Sequence, residues 1–204
     1  MGAEDGKRYD PSANCAAAHH EENAAPGKIS TIPLSAAAPP KVVERGDFAI
    51  RIARDGTWYY CGSAIDRLPL VKLFASVLRR EDDGRYWLVT PAERGRIEVD
   101  DVPFLAVSLT AIGRGHQQRL MLMTNLDEIV TAGPEHPLRV ATSASGEMVP
   151  YILVRDGIEA RLSRALLYDL VEYGSEAPVA GVRAFGVWSD GVFFRLGEAA
   201  TDWE

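Results

Sequence analysis

Five groups of residues in this chain have types and spacing that invite chemistry. His19-His20-Glu21-Glu22 sets four potential metal ligands in a row, and Asp100-Asp101 beside Glu93 and Glu98 offers paired carboxylates for acid–base or metal work. Cys61 is a candidate nucleophile, and Gly113-Arg114-Gly115 has the glycines of a phosphate-cradling loop. The fifth group joins aromatics to arginines: Trp58, Tyr86, Trp87 and Phe104 with Arg54, Arg67, Arg96 and Arg155. Aromatic faces stack bases, and arginine forks pair phosphates.

Four of the five weaken on inspection. Adjacent histidines on a helix cannot both face one ion, and zinc needs three or four convergent ligands. The Gly-Arg-Gly run lacks a Walker lysine and a strand-loop-helix setting. Cys61 stands in no nucleophile motif, and no Gly-x-Ser-x-Gly elbow exists. His116 and His136 fall in expected turns without an acid or nucleophile at telling spacing. Asp100-Asp101 with Glu93 and Glu98 reads more simply as a charged turn between strands. No metal and no cofactor is expected. The aromatic–arginine group survives, although core packing accounts for aromatics equally well.

The elements that would position these residues begin near Gly46. Phe48, Ile50 and Ile52 alternate with Ala49, Arg51 and Ala53, the period of a half-buried strand. Asp55-Gly56 reads as a hairpin tip with Thr57 to Tyr60 returning. Asp66 is the expected cap of a helix from Arg67 to Arg79-Arg80, with Leu70, Leu73, Phe74, Val77 and Leu78 on its apolar face. Tyr86 to Val89 is a strand that stops at Thr90-Pro91. From Arg96 the pattern is mainly β: Ile97–Val99, Phe104–Ile112, Arg119–Met123, Glu128–Val130, Leu138–Ala141 and Pro150–Val154. A second helix starts at Ser163, a reasonable N-cap, and stops at Gly174; residues 175–181 read as loop. Val182–Trp188 and Val192–Leu196 close the chain around Asp190-Gly191.

The order of these elements repeats. Ile50-Arg51-Ile52-Ala53-Arg54-Asp55-Gly56 is echoed by Tyr151-Ile152-Leu153-Val154-Arg155-Asp156-Gly157. Each is followed by an arginine (Arg67, Arg164), an apolar helix and a second Asp-Gly turn (Asp83-Gly84, Asp190-Gly191). The reading is an α+β fold of two small domains with an internally duplicated hairpin-helix-strand motif. Residues 1–45 form an Ala/Pro-rich tail that is largely disordered or loosely docked, with at most a short helix near Pro11 to Glu22. Residues 46–98 form the first domain, 99–197 a β-rich second one, and 198–204 a frayed end.

Composition narrows the function classes. The 204 residues carry a net charge of −7, which argues against a nucleic-acid partner, since counterion release needs clustered basic residues. Cys15 and Cys61 are too few for a disulfide framework, which favours a reducing compartment. Met1 to Asp10 is polar and lacks a signal-peptide core. The apolar run from Pro103 to Ile112 is too short to span a bilayer. A cytoplasmic protein without membrane partners is the expectation.

Several ordered motifs carry a family resemblance. They are Arg51-Ile52-Ala53-Arg54-Asp55-Gly56-x-Trp58, Arg67-x-x-Leu70-Val71-x-Leu73-Phe74-x-x-Val77-Leu78-Arg79-Arg80-Glu81 and Tyr86-Trp87-Leu88-Val89-Thr90-Pro91-x-Glu93. Val99-Asp100-Asp101-x-Pro103-Phe104, Thr124-Asn125, Ala132-Gly133-Pro134-x-His136-Pro137-Leu138 and Gly186-Val187-Trp188-Ser189 follow in order. In these the chain resembles the bacterial domain-of-unknown-function 1285 family. The resemblance implies a duplicated α+β motif and a C-terminal half-barrel superficially like pleckstrin-homology domains. It also implies a signalling role and a pocket between the two parts for a nucleotide-like ligand. The segment around Ala36 to Glu44 departs from the family by being Ala-rich. The working hypothesis is a non-enzymatic ligand-sensing module for an anionic, nucleotide-like small molecule. Arg67 would pair phosphate, Phe104 or Trp58 would stack, and Asn125 or Asp101 would read polar edges. The pocket would lie where Thr90–Glu93 and Asp101–Phe104 meet the second half. The alternatives are a domain docking a signalling protein without small ligand, and a metal-dependent phosphoesterase using Asp100, Asp101 and Glu93.

Overall fold

The computed structural model describes residues 42–143 and 146–198. The expectations for the His19–Glu22 cluster, for a helix near Pro11, and for the chain after residue 198 fall outside that range. The chain enters its first sheet earlier than Gly46. Strand β1 (Val43–Ile52) turns Phe48, Ile50 and Ile52 to the core, with Ile52 fully buried, and Arg51 to solvent. It pairs antiparallel with β2 (Trp58–Tyr60), which pairs with the short β3 (Ser63–Ala64).

Helix α1 is shorter than its apolar pattern suggests and starts later. It runs Leu68–Ser76, behind Arg67, which makes no side-chain cap; Asp66 does not cap it. Its buried residues are Val71 and Ala75, whereas Leu73 is 61% exposed. The expected last turn, Leu78–Arg80, is instead strand β4, and Leu78 is fully buried opposite Leu88. Cross-strand pairing and burial of Leu78 outweigh a final turn of helix, which would have left the polar Arg79-Arg80 as its only extension. Strands β5 (Tyr86–Val89) and β6 (Glu93–Val99) complete a six-stranded sheet in the order β3-β2-β1-β6-β5-β4, with β1 and β6 parallel.

The second half builds two sheets. Strands β7 (Phe104–Ile112), β8 (Arg119–Thr124), β9 (Ile129–Thr131), β10 (Leu138–Thr142), β11 (Met148–Arg155) and β12 (Ile158–Leu162) form a curled six-stranded sheet. All its pairs are antiparallel except β12 with β7. Helix α2 (Arg164–Glu172) is capped as its sequence suggests, with Ser163 Oγ accepting from Leu166 N, and it buries Leu166 and Leu170. Residues 175–179 are strand β13 rather than loop; β14 (Val182–Ser189) and β15 (Val192–Glu198) follow. β13 is an edge strand in which only Ala177 is buried, so it lacks the apolar alternation by which strands are read. Ser189, fully buried, pins this sheet to the curled one: its Oγ accepts from Leu120 N at 2.9 Å and donates to Ala132 O at 2.6 Å.

The architecture is α+β and mostly β, with a hairpin-helix-strand order used twice. The copies differ in wiring. After α1 the strands return to the sheet they left; after α2 they form a sheet of their own. One continuous apolar core runs through both halves, from Ile50, Trp58 and Leu88 to Phe104, Leu122 and Ile152. No described helix is long and apolar enough to cross a membrane.

Candidate functional site at the seam

Each half sends a hairpin tip to the other. In the first hairpin, Gly56 lies so close to Asn125 and Leu105 that a Cβ placed there would stand 2.8 Å from Asn125 Nδ2 and 3.3 Å from Leu105 Cδ1. In the second, Gly157 O accepts from Arg80 Nη1 at 3.1 Å. The contact between halves therefore runs in both directions, through β7 and the Thr124–Glu128 turn on one side and through β4 on the other.

Charged side chains collect along this seam. Arg155 Nη2 donates to Ala75 O at the end of α1 at 2.7 Å and lies 3.3 Å from Glu128 Oε1, with its guanidinium 5.3 Å over the Phe104 ring. Arg80, besides reaching Gly157, stands over Tyr86. Asp101 accepts from Tyr151 Oη at 3.2 Å and lies 3.6 Å from Arg161. Arg139 forms a two-pronged pair with Glu159, both contacts at 2.6 Å, and covers the Tyr151 ring at 4.2 Å. Burial pushes the Tyr86 phenol up, with smaller influences from Arg80, Glu159, Asp101 and Arg139, so this N-terminal side chain sits in the field of the C-terminal cluster. Burial and the neighbouring Asp101 carboxylate push the Tyr151 phenol up in the same way.

The seven residues singled out from the sequence do not converge on one pocket. Trp58 is 1% exposed and packs on Phe74, and Phe104 is fully buried with Arg155 across its face. Neither offers a free ring to a base. Both are large apolar surfaces that the core claims first, as the competing packing explanation holds. Thr90 and Glu93 form their own tight turn, Thr90 Oγ1 donating to Glu93 O at 2.9 Å, and the Glu93 carboxylate pairs with Arg45. Arg67 is exposed at the start of α1. Asn125 and Asp101 do lie at the seam, where Asn125 Oδ1 accepts from Leu105 N at 3.0 Å. Asp100, Asp101 and Glu93 each keep a separate partner: Arg51, the Tyr151–Arg161 pair, and Arg45. Among the described residues no group of three or more His, Cys, Asp and Glu side chains could hold a metal ion.

The seam residues missed in the sequence are Arg80, Arg139, Tyr151, Glu159 and Arg161; Tyr86 stands in the aromatic–arginine group. Arg155 could be singled out because the repeat marks it; the others lie in strands whose alternation reads as ordinary core and rim. A separate open cleft of about 340 Å³ lies on the C-terminal half, lined by Ile112, His116, Gln117, Arg119 and Asp190 among others.

Comparison with family models assigns both halves. The model described as the N-terminal domain of a domain of unknown function (DUF1285) matches residues 33–102, and that of the C-terminal domain matches residues 103–196. The chain belongs to the DUF1285 family. A crystal structure of a DUF1285 family protein from Silicibacter pomeroyi DSS-3 is 42% identical, with a TM-score of 0.72 over 78% of this chain and 85% of that one. A second, from Shewanella baltica OS155, is 27% identical over 62% of this chain and 92% of that one, with a TM-score of 0.48. A search of curated proteins gives no match. The division between the two DUF1285 models falls between Val102 and Pro103, in the connection that carries Asp101 into the seam.

Proposed function

We propose that this DUF1285 protein is a non-enzymatic binding module that takes an anionic, nucleotide-like small molecule at the seam between its halves. The observation that carries this reading is the way arginines cross the seam. Arg80 reaches from β4 to a backbone carbonyl of the opposite hairpin, and no carboxylate of the described residues pairs with it. Four guanidinium groups, Arg80, Arg139, Arg155 and Arg161, face three carboxylates, Asp101, Glu128 and Glu159. A carbonyl satisfies an arginine's hydrogen bond and leaves its charge uncompensated, so a ligand phosphate gains both a fork of donors and an opposite charge. Tyr86 and Tyr151 supply aromatic surface beside that charge, although each already lies under an arginine. A signalling role fits a module of this kind, because a ligand held between two halves stabilises one relative arrangement of them.

The test is a thermal-shift series with nucleoside mono-, di- and triphosphates and dinucleotides beside uncharged nucleosides. A ligand that binds only the native state raises the melting temperature, with the logarithm of its excess over Kd. The reading expects a shift with a phosphorylated member, none with the nucleoside alone, and a smaller shift in Arg80→Ala. No shift with any compound at millimolar concentration would remove it.

A further inference from the structure

Arg155 is only half satisfied. Its Nη2 meets both Ala75 O and Glu128 Oε1, while Nη1 is buried and has no hydrogen-bond partner. A guanidinium fork is built to hold two acceptors side by side, and a buried donor of a charged group left unpaired is costly. Glu128 provides one oxygen to one nitrogen. Its backbone is fixed, with N–H donating to Thr124 Oγ1 at 3.1 Å and C=O accepting from Thr124 N at 2.8 Å, but its side chain is 34% exposed and can rotate into solvent.

We propose that the Glu128 carboxylate holds the place of a ligand phosphate on Arg155, and that the bound ligand displaces it and engages both guanidinium nitrogens. The proposal rests on the seam being a binding site and adds which side chain reads the anion and which one competes with it. Phe104 then supports Arg155 from beneath, and Ala75 O keeps the guanidinium in place as the acidic partner leaves. Removing the competitor strengthens binding without adding any new contact to the ligand.

The experiment is calorimetric titration of adenosine monophosphate and of inorganic pyrophosphate into the full chain, as wild type, Glu128→Gln, Asp127→Asn and Arg155→Lys. Asp127 is the neighbouring acid, paired with Lys72 across the seam, and serves as the control for general loss of negative charge. Glu128→Gln is expected to tighten binding roughly five-fold, the size of releasing one partly exposed ion pair. Asp127→Asn is expected to change affinity less than two-fold, and Arg155→Lys to weaken it at least ten-fold, because an ammonium cannot replace the fork. Glu128→Gln decides the matter by itself, since its ion pair is part-exposed and a pair of that kind contributes little to stability. Binding by the wild type that is unchanged or weaker in Glu128→Gln overturns the competition and leaves the seam site standing. No binding by any of the four proteins overturns the site and the competition together.

Discussion

The two Arg-Asp-Gly hairpins share three residues and use them in opposite ways. The first is a three-residue turn: Ala53 N donates to Thr57 O, Gly56 N donates to Ala53 O, and Thr57 N donates to Asp55 Oδ1. Gly56 takes the left-handed conformation at φ +79°, as the third position of such a turn requires. The second is a two-residue turn with Asp156 and Gly157 both left-handed, at φ 43° and 74°. The change in turn length alters which side chain faces the partner half. In the first hairpin the glycine docks and Arg54 stays exposed; in the second the arginine docks and the glycine supplies a carbonyl. Neighbouring residues of β7 receive them, Leu105 against Gly56 and Phe104 beneath Arg155. A repeat conserved as a word is thus not conserved as a contact.

The comparison can be broken most violently at its shared floor. Phe104→Ala, at a fully buried position, is expected to cost about 3–5 kcal/mol in chemical denaturation. The cross-seam contacts of Arg155 should fail with it. Next come the glycines. Gly56→Ala combines a left-handed backbone with a collision against Asn125 and should cost about 2–3 kcal/mol. Gly157→Ala meets nothing closer than 3.9 Å and should cost about 1 kcal/mol, so equal losses at the two sites would contradict the asymmetry. Arginine reverses that order: Arg155→Ala is expected to lose about 1–3 kcal/mol, and Arg54→Ala less than about 0.5 kcal/mol.

The smallest effect is one of pH. The Thr57 backbone N–H bonded to Asp55 holds that carboxyl below its ordinary value of 3.8. A depressed carboxyl stabilises the fold above its unfolded pKa and loses that contribution as pH falls through the folded value. Asp55→Ala should therefore melt lower than wild type at pH 7, with the gap closing towards pH 3. A gap that is constant across this range would assign the loss to the turn's shape rather than to the carboxylate.

Much of the scaffold was legible because local rules and the tertiary fold agree. Phe104–Ile112 forms a strand with the bounds its apolar run suggests, Ser163 caps α2, and the Asp-Gly dipeptides sit at hairpin tips. Where the two disagree, the tertiary fold decides. Leu78 continues the helical spacing of α1 yet pairs with Leu88, and Ser175–Val179 lacks alternation because a lone edge strand buries little. The candidate site was harder to read. Trp58 and Phe104 have the chemistry of a stacking platform, but sequence does not say which face of a strand meets the core. Arg80, Arg139 and Arg161 come together only through register and sheet order, at separations that no local pattern encodes.

Location is the most direct test of the account. Crystals of the full chain soaked with a nucleotide that raises the melting temperature should show its phosphate at the seam, within hydrogen-bonding distance of Arg80 or Arg155 and with Glu128 turned away. A nucleotide found instead in the open cleft between Ile112 and Asp190, with the seam contacts of Arg80, Arg155 and Glu128 unchanged, would contradict it.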